Sequence, residues 1–240
     1  MNETLFVSDV HLDAARPRII DLFNTFLTER AAHADALYIL GDLFEYWIGD
    51  DAPYTQYKNT FHCLEQLTSN GLPVYFLHGN RDFLIAKQFS EMTGVNLLTE
   101  EQVIQVYKHK ILVMHGDTLC TDDLEYQRFR KKTQNKFLRW IVLHLPIRAR
   151  QSLAQHLRDT SKQAVGEKSA DIMDVNQQAV INAMQRHQVN TLIHGHTHRP
   201  AIHEFTAQQQ TFKRAVLGDW YQQGNMLRVT PEDIALSYFN

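Results

Sequence analysis

Five short apolar runs in this chain each end in a polar block rich in metal-binding and turn-forming residues. The runs are Leu5–Val7, Ala36–Leu40, Val74–Leu77, Ile111–Met114 and Thr191–Ile193. None alternates polar with apolar residues, the pattern of strands buried on both faces. The blocks that follow are Asp9-Val10-His11, Gly41-Asp42, Gly79-Asn80-Arg81-Asp82, His115-Gly116-Asp117 and Gly195-His196-Thr197-His198. Between the runs, Ile19, Ile20, Phe23, Phe26 and Leu27 recur at helical spacing from Pro17 to His33, as do Phe61, Leu64 and Leu67, and later Val180, Ile181 and Met184. Further strands are expected over Ala215–Leu217 and Asp233–Tyr238. The pattern predicts an α/β fold with chemistry at strand ends, where such sheets bind their ligands.

The residue types in the blocks predict what is bound. Asp9 and Asp42 offer carboxylates, Asn80 an amide oxygen, and His11, His115, His196 and His198 imidazoles, with no thiolate among them. A mixed oxygen and nitrogen set suits Mn²⁺, Fe²⁺, Co²⁺ or Zn²⁺ better than Ca²⁺ or a structural zinc. Seven ligands exceed what one ion takes when water and substrate also bind, so two ions sharing a carboxylate are expected, an arrangement suited to phosphoryl transfer. Taken singly, a strand-end Asp is also a helix N-cap and Gly-Asp also a turn. His78 and His194, at the ends of their runs, are read as packed or hydrogen-bonded supports rather than ligands.

At 240 residues and 44% hydrophobic content the chain can bury one sizeable core, and it shows no internal repeat. Its first residues enter a strand with no basic segment and long apolar stretch behind them, so no secretion signal is expected. Two cysteines, Cys63 and Cys120, give no disulfide framework and suit a reducing compartment. Cys120 has no base beside it in sequence and is read as a packing residue.

One stretch breaks the alternation. From Leu124 to Lys168 eleven basic residues face three acidic ones, a net of +8 that leaves the rest of the chain near −11, since the whole is −3. The same stretch holds Phe137, Leu138, Trp140, Ile141, Val142, Leu143, Leu145 and Ile147, interrupted by Pro146 and too short to span a bilayer. It reads equally as a basic amphipathic insertion resting on anionic lipid and as a helical hairpin packed on the core with its charges solvated.

In order, the five blocks resemble the signature of the calcineurin-like metallophosphoesterases, D-x-H, G-D, G-N-[HR]-D, H-G-D and G-H-x-H, over nearly the whole chain. The resemblance implies a two-sheet sandwich flanked by helices, with a catalytic core over 1–123 and 169–240 and a helical cap over 124–168. It implies two divalent ions, Mn²⁺ foremost, one held by Asp9, His11, Asp42 and His198 and the other by Asp42, Asn80, His115 and His196. Longer stretches, among them Tyr38–Glu45, Trp47–Asp51, His78–Leu84, His115–Asp123, Ile172–Asn176 and His194–Pro200, resemble members that act on a nucleotide-linked glycolipid. The implied reaction is hydrolysis of the pyrophosphate bond of UDP-2,3-diacylglucosamine to UMP and 2,3-diacylglucosamine 1-phosphate in lipid A synthesis, by metal-activated water attacking the uridine-side phosphorus.

In that scheme Asp42, Asn80, Arg81, His115 and His196 are catalytic, and Asn80, Arg81, Asp123, Ser161, Lys168 and His196 meet the substrate. Trp140 and Ile141 are expected to hold acyl chains. Many metallophosphoesterases carry His where this chain has Arg81; a guanidinium cannot act as a general acid near neutral pH, so its role is electrostatic, or a salt bridge to Asp82 or Glu45. The resemblance places the protein at the cytoplasmic face of the inner membrane as a peripheral protein, with no nucleic acid and no obligate protein partner. The residues alone leave two rivals: a phosphodiesterase acting on cyclic nucleotides or nucleic acid, and a non-catalytic binding module of the same fold.

Overall fold

The computed structural model describes residues 2–167 and 174–240, with the backbone alone over 161–167. Two mixed sheets face each other. The first contains β1 (Thr4–Val7), β2 (Ala36–Leu40), β3 (Val74–Leu77), β4 (Asn96–Leu97), β10 (Gly224–Val229) and β11 (Ile234–Phe239), in the order β11-β10-β1-β2-β3-β4. The second contains β5 (Glu101–Val106), β6 (His109–Met114), β7 (Thr191–His194), β8 (Ala201–Ala207) and β9 (Gln210–Val216), in the order β5-β6-β7-β9-β8. All five expected ligand-bearing strands form: β1, β2 and β3 run parallel in the first sheet, and β6 and β7 run parallel in the second.

The lack of alternation in these strands follows from their position, because both faces are covered. Phe6, Tyr38 and Leu40 point between the sheets against Ile111, Val113 and Ile193, and the rings of Phe6, Tyr38 and Tyr75 stack across three neighbouring strands at 4.8 and 4.6 Å. The alternate residues Leu5, Val7, Leu37, Ile39 and Phe76 pack outward beneath α1 (Pro17–Thr25), α2 (Lys58–Ser69) and α3 (Lys87–Thr93), meeting Ile19, Phe23, Leu64 and Phe89. On the far side, Leu112 and Leu192 meet Val180, Ala183 and Met184 of α7 (Gln177–Arg186). Four layers therefore enclose three cores, the α/β fold that the pattern predicts in the two-sheet form that the resemblance implies.

The helix expected over Pro17–His33 is α-helical only to Thr25; it continues as a π turn, Phe26–Arg30, and a 3₁₀ turn, Ala31–His33. Strands β4, β5, β8 and β10 were not expected. The buried β10 is masked by polar residues: Asn225 sits inside, its Oδ1 accepting from the Gly218 N–H at 2.6 Å while its carbonyl accepts from the Trp220 indole at 3.0 Å.

Among the described residues between β6 and α7 lie three α-helices, α4 (Leu124–Thr133), α5 (Lys136–His144) and α6 (Ile147–Glu167). Asp123 caps α4 by accepting from the Tyr126 N–H at 2.9 Å, and Asn135 caps α5. Neither helix buries a residue fully, and Phe137 and Trp140 are 67% and 56% exposed. Among the described residues no helix is long and apolar enough to cross a membrane.

Four arginines of this insertion turn inward. Arg150 grips both oxygens of Asp51 and the Ile48 carbonyl. Arg158 bonds Asp13 at 2.9 Å, Arg130 bonds Asp117 and Glu100, and Arg139 bonds the Phe83 carbonyl. Part of the positive charge of these helices is therefore paired with acids elsewhere in the chain, while Arg128, Lys131, Lys132, Lys136 and Arg148 stay exposed.

Candidate metal centre

Five of the seven candidate ligands sit on sharp turns after their strands. Asp9, His11, Asp42, His196 and His198 all have φ between 52° and 69°, a left-handed conformation that non-glycine residues avoid and that costs of order 1–3 kcal/mol where it is held. Strain gathered at five of the seven expected ligands marks a site whose side chains must converge. Glycines make the convergence possible: a Cβ on Gly79 would stand 2.1 Å from Asp42 Oδ1, and one on Gly195 would stand 2.3 Å from Asp9 Oδ2. Asp82 ties the second and third blocks together, its buried carboxylate accepting from the Leu43 and Gly79 N–H groups at 2.8 Å each.

The seven side chains meet in two groups. In one, His198 Nε2 lies 3.3 Å from Asp9 Oδ1 and 3.2 Å from His11 Nε2. In the other, Asn80 Oδ1 lies 3.0 Å from both His115 Nε2 and His196 Nδ1, which are 3.3 Å apart. Asp42 Oδ2 stands between them, 4.0 Å from His11 Nε2 and 3.7 Å from His115 Nε2. Asp9 also reaches toward the second group, with ligand atoms of Asp9, Asp42 and His115 within 4.8 Å of one another.

The far sides of the ligands are braced. His115 turns Nδ1 to the Leu40 carbonyl at 2.9 Å, while His198 Nδ1 is 3.4 Å from Asp219 and His11 Nδ1 is 3.5 Å from Glu45. These contacts leave the Nε2 atoms aimed inward, the usual support for metal-binding imidazoles. Asp9 Oδ2 accepts from the His196 N–H, whereas Oδ1 is buried without a hydrogen bond. A buried carboxylate oxygen lacking a donor, beside clustered imidazole nitrogens, fits a cation.

Burial pushes the Asp42 carboxyl up to about 7, with His115 opposing. For His115 burial acts downward, but the Asp42 and Asp9 carboxylates prevail and lift it to about 9. His198 rises against burial to about 10 beside Asp9 and Asp219. Two imidazoles that hold protons at neutral pH must release them to bind a metal. Mn²⁺ binding is therefore expected to tighten as pH rises from 6 to 9 and to release protons at pH 7. Calorimetry in two buffers of different ionisation enthalpy measures this, and no proton release would contradict the packing described.

Other expectations divide. His78 bonds the Ile85 carbonyl at 2.7 Å and His194 bonds the Gly195 carbonyl at 2.8 Å, both outside the ligand groups. Cys120 is buried, its thiol pushed up to about 12, which suits packing rather than nucleophilic attack. Arg81 pairs with Glu45 at 3.3 Å and not with Asp82. Asp123 serves α4 as its cap, while Lys168 and the Ser161 side chain lie outside the described residues.

Glu45 and Asp219 were not expected to brace ligands; the only signal was their place in Gly-Asp-Leu-Phe-Glu and Gly-Asp-Trp. A cavity of about 300 Å³ opens beside Asn80 and Arg81 and continues along Phe129, Leu138, Val142 and Leu153. Trp140 and Ile141 do not line it; of α5 it takes Leu138 and Val142, one helical turn apart.

The calcineurin-like phosphoesterase model matches residues 3–200. The chain is 51% identical over 236 residues to the UDP-2,3-diacylglucosamine hydrolase of Escherichia coli O81 and 50% identical to those of Escherichia fergusonii and Shigella sonnei, in each case covering 98% of both chains. With the strand-end ligands, the two sheets and this similarity in agreement, the chain belongs to the calcineurin-like phosphoesterase family.

Proposed function

We propose that this protein hydrolyses the pyrophosphate bond of UDP-2,3-diacylglucosamine, giving UMP and 2,3-diacylglucosamine 1-phosphate. The observation that carries the reading is the cavity that joins Asn80 and Arg81 to an apolar wall of insertion side chains. A phosphoryl group beside the ligands and an acyl chain among Leu138, Val142 and Leu153 would occupy one continuous space. The half-identical relatives, which carry the name of this hydrolase, support it.

Divalent ions are implied by the family, and the donor set suits Mn²⁺, with Asp9, His11, Asp42 and His198 as one site and Asp42, Asn80, His115 and His196 as the other. When bound, two such ions activate water and neutralise charge on the phosphoryl oxygens. The residues around them do the rest. Arg81 would present a planar donor fork to the phosphate at the cavity mouth. The leaving group is itself a phosphate, so it needs less protonation than an alkoxide, and an arginine in place of a histidine suffices. The apolar wall would exclude water from the acyl end.

In this reading residues 124–168 are the cap and 1–123 with 169–240 the core, and the family resemblance would give Asp123, Ser161 and Lys168 to sugar and phosphate. The exposed Phe137 and Trp140 beside exposed basic residues would rest on the cytoplasmic face of the inner membrane.

Turnover of UDP-2,3-diacylglucosamine against a generic phosphodiester tests the substrate: preference for the phosphodiester would reject the reading. Hydrolysis in ¹⁸O-water is expected to label UMP, and label in the lipid 1-phosphate would reject attack at the uridine-side phosphorus. Leu138→Ser with Val142→Ser is expected to raise KM for the acylated substrate by at least about tenfold, from the loss of apolar contact, and to leave phosphodiester turnover unchanged. An unaltered KM would move the acyl site elsewhere.

A further inference from the structure

Glu45 is buried, with 3% of its surface exposed, where four segments of the chain meet. Its Oε2 accepts from the Arg16 guanidinium at 3.1 Å and lies 3.5 Å from His11 Nδ1, a buried nitrogen that forms no hydrogen bond and has this carboxylate facing it. Its Oε1 accepts from Arg81 at 3.3 Å and lies 3.0 Å from Arg158 Nε, on α6 of the insertion. Three guanidiniums thus converge on one carboxylate, with Asp13 the second acid shared by Arg158. Arg16 is further fixed by donating to the His11 carbonyl at 2.6 Å.

We infer that Glu45 is a positioning residue with two duties: it fixes the His11 ring so that Nε2 faces the metal centre, and it holds Arg81 and Arg158 at the mouth of the cavity for an anionic phosphoryl group. A carboxylate on the outer nitrogen of a metal-binding imidazole sets its tautomer and orientation. A carboxylate shared by several arginines holds their forks in place, and the surplus of guanidiniums over acids leaves positive charge for a phosphate. One buried side chain thereby ties the insertion to the metal centre. The second duty rests on the substrate reading above; the first does not.

Glu45→Gln keeps the shape and removes the charge. Titration with Mn²⁺ alone, followed by calorimetry or electron paramagnetic resonance, is expected to show one ion bound about 10 to 100-fold more weakly and the other unchanged. At saturating Mn²⁺, KM for UDP-2,3-diacylglucosamine is expected to rise by at least about tenfold, as ordered charged hydrogen bonds are lost. A folded variant with wild-type Mn²⁺ affinities overturns the first duty, and one with wild-type KM overturns the second.

If Glu45→Gln does not fold, Glu45→Asp gives the same readings. It keeps the charge but draws the carboxylate back from His11, so weakened Mn²⁺ binding is again expected and wild-type binding overturns the proposal. Should the wild-type protein fail to turn over the glycolipid nucleotide, the substrate reading fails, while the Mn²⁺ titration still decides the role toward His11.

Discussion

Replacing Asp42 by Ala is expected to abolish hydrolysis, with a loss on the order of 10³-fold or more, and to leave the protein folded. Asp42 Oδ2 stands between the two groups of candidate ligands, within 4.0 Å of His11 and 3.7 Å of His115, so its removal disturbs both at once. Stability should fall by about 1–3 kcal/mol, because the Arg81 N–H loses its acceptor, Asp42 Oδ1. Burial lifts this carboxyl to about 7, so its charged form is disfavoured in the fold, and the apolar layers above and below it are untouched. Steady-state kinetics, metal content per chain and a thermal melt together decide the matter. Near-normal turnover by a folded Asp42→Ala protein would end the shared-carboxylate arrangement.

A single methyl group at Gly79 is expected to be almost as damaging. The added Cβ would stand 2.1 Å from Asp42 Oδ1 and 2.5 Å from the Asp42 backbone nitrogen, a clash that side-chain rotation alone cannot relieve because backbone is involved. The block must shift, and with it Asn80, whose oxygen lies 3.0 Å from two imidazoles. A displacement of about 1 Å at reacting groups costs on the order of 10²-fold in rate, so Gly79→Ala should lose at least that much activity and bind Mn²⁺ more weakly. Gly71→Ala is the control. It adds a methyl group where nothing lies within 4 Å but φ is +90°, so it should cost about 1–2 kcal/mol of stability with unchanged kcat. Equal kinetics for Gly79→Ala and wild type would show that the ligand loops have slack which the packing does not suggest.

Fold class and the gathering of the candidate ligands were legible in the sequence for a local reason. Each of the five blocks is contiguous with the strand that delivers it, so apolar run, turn and ligand are all within a few residues. The left-handed backbone at Asp9, Asp42 and His196 is part of the same local unit, as are the small residues Gly41, Gly79 and Gly195 beside them. Reading Asn80 with the histidines required only that polar blocks at parallel strand ends share one edge.

Tertiary structure decided what depends on partners far apart in the chain. Nothing near Glu45 in sequence announces Arg158, 113 residues later on another element, or the His11 ring that it also reaches. The amphipathic pattern of the insertion shows which residues are charged but not what they meet, so Arg150 on Asp51 and Arg130 on Asp117 could not be told from solvated charge. It also left open which apolar residues of α5 border the cavity, and only the placement of the helix beside Asn80 and Arg81 brings Leu138 and Val142 to it and not Trp140 and Ile141. Strand β10 was hidden because its polar Asn225 reads as a surface residue, and the Gly218 N–H that its Oδ1 accepts from is in place only once the loop has closed over it. Backbone turns and ligand chemistry are written in short segments, whereas ion-pair partners and helix facing are set by which surfaces the completed sandwich brings together.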